Sequence, residues 1–90
     1  MSFIAKTRYP VASKEQLEQV ALVVERLVED AKEFGCRDTS VAIDEANLVV
    51  IGSGTYDDME HANQYKKNID KAVTDSLVGL LSGPIQRDIT

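Results

Sequence analysis

The stretch "LVVIGSGTYDDMEH", residues 48–61, decides how the chain folds. Its first four residues are apolar at every position, so Leu48 and Val50 point to one side of an extended chain and Val49 and Ile51 to the other. Both faces of such a strand need cover. Gly52 and Gly54 then lighten it, which marks a bulge or a close approach of another backbone. The run ends at Tyr56, and Asp57, three residues before Glu60, starts a helix whose positive end the carboxylates favour. Neither glycine belongs to a phosphate loop, because no Lys-Ser/Thr pair and no third glycine before a helix follows.

Upstream, "DEAN" at 44–47 reads as a turn and 37–44 alternates with Thr39, Val41 and Ile43 on one side, making a hairpin with residues 48–56. Before it, Leu17, Val20, Ala21, Val24, Leu27, Val28 and Ala31 recur at spacings of three and four. That stripe predicts a helix over about 14–34, opened by a capping box of Ser13 with Gln16 and stopped by Gly35. Residues 2–9 alternate as a strand, Phe3, Ala5, Thr7 and Tyr9 against Ile4, Lys6 and Arg8, until Pro10. Downstream, Ile69, Ala72, Val73, Leu77 and Leu80 predict a second helix reaching about Leu81, with a bend or break at 65–68; Gly83 and Pro84 close it, and 85–89 is a last short strand.

The order is β-α-β-β-α-β, a ferredoxin-like α+β arrangement, expected as one domain over residues 1–90 with helices on one face of an antiparallel sheet. The open face, carrying half of the two-sided strand, calls for a second subunit packed sheet to sheet. Ninety residues make a small core, which burial on association would help.

A net charge of −5 is spread over both halves, six basic against nine acidic residues in 1–45 and four against six in 46–90. Without a basic patch, nucleic acids and anionic membranes are not expected partners. Cys36 is alone, so no internal disulfide or cysteine-based zinc site can form, which fits a reducing compartment. The apolar stretch in "MSFIAKTRYP" is too short for a signal peptide and no run reaches a membrane span, so a cytoplasmic location is expected.

"SFIAKTRYPV", the helix ending in "EFGC", the hairpin and "TYDDMEHANQY" together resemble the antibiotic biosynthesis monooxygenase-like family of dimeric α+β barrels, across nearly the whole chain. The resemblance implies a homodimer whose two sheets form a barrel, with a pocket between sheet and helices in each subunit. It also implies small-molecule chemistry: relatives include cofactor-independent oxygenases of polycyclic phenols or quinols, haem-degrading enzymes, and proteins acting on small signalling molecules. The haem-degrading branch carries an Asn on the first strand, a Trp on the second helix and a His ligand further on. This chain has Thr7, Tyr65 and the neighbourhood of Asp75 there, which disfavours haem. The His that many relatives carry about nine residues after the strand-ending aromatic falls on Tyr65, while the aromatic itself persists as Tyr56.

Four residues stand out as candidates. His61 is a candidate general base by its pKa, against the commoner reading of a solvated residue among Asp57, Asp58 and Glu60. Tyr65 is a candidate catalytic and ligand-binding residue, and Tyr56 a ligand-binding one, against the ordinary role of half-buried structural tyrosines. Arg8 is a candidate anchor for an anionic or phenolate oxygen, against a cross-strand ion pair with Asp88 or Asp44. Cys36 is expected to be a buried small apolar residue, and Leu22, opposite the stripe, hints at a further contact surface. The expected function is that of a cofactor-independent, metal-free oxygenase-like homodimer taking a small apolar or aromatic, phenolic or quinone-like molecule. The alternative is a non-catalytic ligand-sensing or assembly module on the same scaffold, favoured if side chains fill the space under the helices.

Overall fold

The computed structural model describes residues 2–90. They form β1 (Phe3–Pro10), α1 (Leu17–Ala31), β2 (Cys36–Asp44), β3 (Val49–Tyr56), α2 (Met59–Asp75) and β4 (Gln86–Ile89). The four strands make one antiparallel sheet in the order β2-β3-β1-β4, the ferredoxin-like topology expected from the element order.

The alternation in β1 is realised as read. Ala5, Thr7 and Tyr9 are buried beneath the helices, and pairing puts them beside Gly54, Gly52 and Val50 of β3. Val49 and Ile51 lie on the other face, half-buried. The apolar stripe of α1 covers the inner face with Val20 and Val24, both 0% exposed, beside Leu17, Ala21, Leu27 and Ala31. Single turns of 3-10 helix, Lys14–Gln16 and Lys32–Phe34, extend α1 at both ends to the expected span. Gly35 stops it in the left-handed region at φ 92°, where a side chain would be strained and would also meet His61. At the hairpin turn the Asp44 carboxylate accepts from the Asn47 backbone N–H at 3.2 Å and from its Nδ2 at 2.9 Å, holding the DEAN turn closed.

Three local expectations are corrected. The Ser13 side chain makes no capping bond and the Gln16 Oε1 is buried without a partner; the contact made there is backbone, from Gln16 N–H to the Ser13 carbonyl. The second helix is capped by Asp58, whose carboxylate accepts from Glu60 N–H at 2.8 Å, while Asp57 pairs with Arg37 at 3.0 Å. Finally, α2 runs unbroken through residues 65–68 and stops at Asp75, short of Leu81.

The shortfall has a packing cause. Beyond Ser76 the chain turns, with Gly79 at φ 81°, and lays residues 80–82 against the end of β1. Ala12 N–H donates to the Leu80 carbonyl and Ser82 N–H to the Pro10 carbonyl, both at 2.9 Å. Leu77, 1% exposed, enters the core from this turn. The apolar spacing that resembled a last helical turn is used by a docked loop, because sheet backbone offers partners that a continuing helix would not reach.

Candidate functional site

Among the described residues the inner face of the sheet carries one cation. Arg87 sits on β4 opposite Thr7, so pairing points both side chains toward the helices. Its Nη1 donates to Thr7 Oγ1 at 2.7 Å and its Nη2 to the Ala62 carbonyl of α2 at 2.9 Å. Its Nε is buried with no acceptor within reach. A partly buried guanidinium with one unmatched donor is costly to the fold, since desolvation of that N–H is not repaid.

Around it lies a cavity of about 20 Å³ between sheet and helices, room for about one water. Tyr9, Tyr56, Tyr65, Cys36 and Thr7 line it together with Arg87. The two glycines of β3 form its sheet-side wall. A Cβ on Gly52 would stand 2.8 Å from Val24 Cγ1, and one on Gly54 would stand 2.7 Å from Cys36 Sγ. They therefore serve close approach, one of the two readings given for them, and the irregularity of this ladder lies on the partner strand, between Cys36 and Asp38 of β2.

Burial governs the titration of this lining. It raises the Tyr9 and Tyr56 hydroxyls to about 12, with the Arg87 charge pulling back in both cases. Burial raises Tyr65 further, reinforced by the carboxylate of Asp30, and it raises the Cys36 thiol. The Cys36 Sγ donates to the Asp38 carbonyl at 3.4 Å and the residue is 5% exposed. At neutral pH the lining is thus a set of neutral donors around one fixed positive charge. Among the described residues no carboxylate or imidazole borders the cavity, and no cluster of three or more metal-ligating side chains occurs.

The candidates divide. Tyr56 and Tyr65, each 2% exposed, both reach the cavity. The Tyr65 hydroxyl is taken up, however, donating to the Leu27 carbonyl of α1. His61 is exposed on α2 with its ring against Gly35, outside the cavity wall. Arg8 projects from the opposite face of the sheet, where it pairs with Asp88 at 3.1 Å, one of the two partners weighed for it. The cation of the cavity is Arg87, which sequence reading passed over. A signal did exist: in "IQRDI" the alternation that places Ile85 and Ile89 inward places Arg87 inward too.

No family model matches the sequence, and no curated protein matches it. Solved structures do. A putative antibiotic biosynthesis monooxygenase from Nitrosomonas europaea superposes with a TM-score of 0.79 at 11% identity, over 99% of this chain and 88% of that one. A monooxygenase of Streptomyces coelicolor in complex with the ligand Nanaomycin D gives 0.75 at 15%, over 99% and 85%. A dimeric ferredoxin-like protein from an uncultured marine organism gives 0.72 at 14%, over 98% and 84%. The chain thus has the ferredoxin-like fold shared by antibiotic biosynthesis monooxygenase-like proteins. At these identities the likeness establishes the fold and leaves the chemistry to the residues.

Proposed function

We propose that the chain is a homodimeric α+β barrel protein that admits a small phenolic or quinone-like molecule between sheet and helices and oxygenates it without a cofactor. The observation that carries this reading is the unmatched Nε of Arg87, a buried donor on a permanent charge beside a cavity walled by tyrosines. Such a group fits an oxygen that is anionic or strongly accepting, and the aromatic walls fit a ring. Because no lining group is a base at neutral pH, the substrate's own hydroxyl would have to ionise, and Arg87 is the group that would hold it ionised. An electron-rich phenolate can react with dioxygen directly and supply all four electrons itself: one oxygen atom becomes a new ring carbonyl, the two hydrogens lost by the substrate leave with the other oxygen as water, and the product is a quinone. In this reading Arg87 takes the role expected of Arg8, Tyr56 orients the ligand, and Tyr65 forms a wall.

The dimer is supported by the half-buried Val49 and Ile51 and the 47% exposed Ile4 on the uncovered face, and by the structural neighbour described as dimeric. Sedimentation should give about twice the 9.9 kDa chain mass at micromolar concentration. A monomer would remove the barrel.

The test of the activity is oxygen uptake with a panel of naphthols, hydroquinones and anthrones, on the native chain and on Arg87→Met. Methionine keeps most of the volume and removes the unmatched donor together with the bonds to Thr7 and the Ala62 carbonyl, so thermal stability should fall by about 1–3 kcal/mol, and binding and uptake are compared at a temperature where both proteins are folded. Binding and uptake should fall at least tenfold. Equal uptake in both proteins would sink the role of Arg87.

The second reading, a non-catalytic assembly or sensing module, is favoured by the size of the cavity, since about 20 Å³ excludes a ring unless a wall moves. It would prevail if no member of the panel binds or shifts the melting temperature.

A further inference from the structure

Two hollows meet at Tyr65. The inner one is the cavity beside Arg87. The outer one is a groove of about 450 Å³ between α1 and α2, with Phe34 and Ala72 on its apolar side and Asp30, Glu33 and Asp75 among its polar residues. Leu27 and Tyr65 belong to the walls of both. These two residues are also joined to each other, by the hydrogen bond from the Tyr65 hydroxyl to the Leu27 carbonyl. The partition between groove and cavity is therefore formed by Leu27 and by the Tyr65 ring, and the ring is latched by one hydrogen bond.

The latch is built to be reversible. Leu27 lies within α1, so its carbonyl keeps a helical backbone donor when the tyrosine leaves. A tyrosine hydroxyl swinging outward meets the open groove, where water can take its place as partner. On the outer side the ring packs on Phe34, with centroids 5.5 Å apart and planes at 53°, and Phe34 is itself 45% exposed at the end of a 3-10 turn. Around Tyr65 on α2, Asn68 and Ala72 face the groove and Ile69 faces the cavity, so the helix itself need not shift for the ring to rotate.

We propose that Tyr65 is the door of the site, and that a small aromatic ligand passes from the groove between α1 and α2, past the Tyr65–Leu27 latch, into the cavity beside Arg87. This rests on the reading of that cavity as a ligand site. It also removes the conflict between a cavity the size of one water and a ring-sized ligand, because an outward rotation of Tyr65 would join the inner space to the groove.

Cys36 makes the door testable without any ligand. It is the chain's one cysteine, and its thiol lines the inner cavity. Iodoacetamide labelling of the native protein at pH 8, followed by mass spectrometry at several low urea concentrations, reads the opening of the cavity. Tyr65→Phe removes the latch and keeps the ring, and should speed labelling about fivefold. Tyr65→Ala removes the door, and should speed it more than tenfold. Both rates should be independent of urea, as expected for local opening. Leu77→Ala is the control, a core truncation in the wall of neither hollow that should speed labelling only through urea-dependent global unfolding.

The proposal is overturned if both Tyr65 variants label no faster than the native chain or only with the urea dependence of Leu77→Ala. It is equally overturned if Val28→Ala, on the wall where α1 meets Gly52 of β3, gives the large urea-independent acceleration instead. Since labelling involves no phenol, a working door in a protein that oxygenates nothing would fail the activity and not the door.

Discussion

Arg8 and Arg87 stand on neighbouring strands, with Arg8 paired in register to Gln86 and Thr7 to Arg87, yet they live in different solvents. Arg8 lies on the outer face with its side chain 41% exposed and meets a carboxylate that is 67% exposed. Water and salt screen that pair. One residue's change of parity puts Arg87 under the helices, bonded to a hydroxyl and a backbone carbonyl, with a donor to spare. A charge kept indoors at a cost to the fold is the better mark of function, because stability alone would replace it.

The largest test of the two faces is alkaline pH. Tyr9 and Tyr56, on the inner face, have folded pKa values raised from 10.0 to about 12, so the fold favours their protonated forms. Below pH 10 both states hold these protons and the stabilisation is complete. Between roughly 10 and 12 the unfolded chain releases them first, so stability should fall with pH, by on the order of 2 kcal/mol per tyrosine. Urea unfolding at pH 9 and pH 12 measures it, and Tyr9→Phe should flatten the slope. An unchanged slope would mean that these hydroxyls are wet.

Next comes the glycine wall. Gly52→Ala places a Cβ 2.8 Å from Val24 Cγ1 and should cost about 1–3 kcal/mol in denaturant unfolding. The double variant with Val24→Ala should recover part of that loss, and failure to do so would locate the strain in the backbone. Smaller again is the helix cap. Asp58→Ala should cost about 1 kcal/mol and Ser13→Ala almost nothing, since only Asp58 holds a backbone N–H. The smallest effect belongs to the outer face: Arg8→Ala should change the stability of the monomer by about 0.5 kcal/mol or less. If a second copy covers that face, the loss should grow with protein concentration, and a concentration-independent loss would argue that the face stays open.

How far the sequence could be read differs between features that are local and features that are shared. The stripe of α1, the stop at Gly35 and the alternation of β1 depend on spacing within one segment, and all were legible. The end of α2 was not, because Leu77 and Leu80 satisfy a helical spacing and a docked loop equally well until Pro10 and Ala12 offer their backbone. Asp57 and Asp58 are equivalent as text, and the nearness of Arg37 sorts them. For the site, Tyr56 was legible as the aromatic that ends a strand, whereas Arg87, inward by the alternation of "IQRDI", was passed over because an arginine is ordinarily exposed.

The sequence by itself determined the order of elements, the buried faces of α1 and β1 and the ferredoxin-like topology, because periodicity is written in each of those segments and few sheets satisfy that order. Only the tertiary structure decided which arginine is enclosed, that the tyrosines of β1, β3 and α2 converge on it, and that Tyr65 is latched to Leu27. These depend on strand register and on where two helices rest, and a shift of one residue would exchange Arg87 for Asp88.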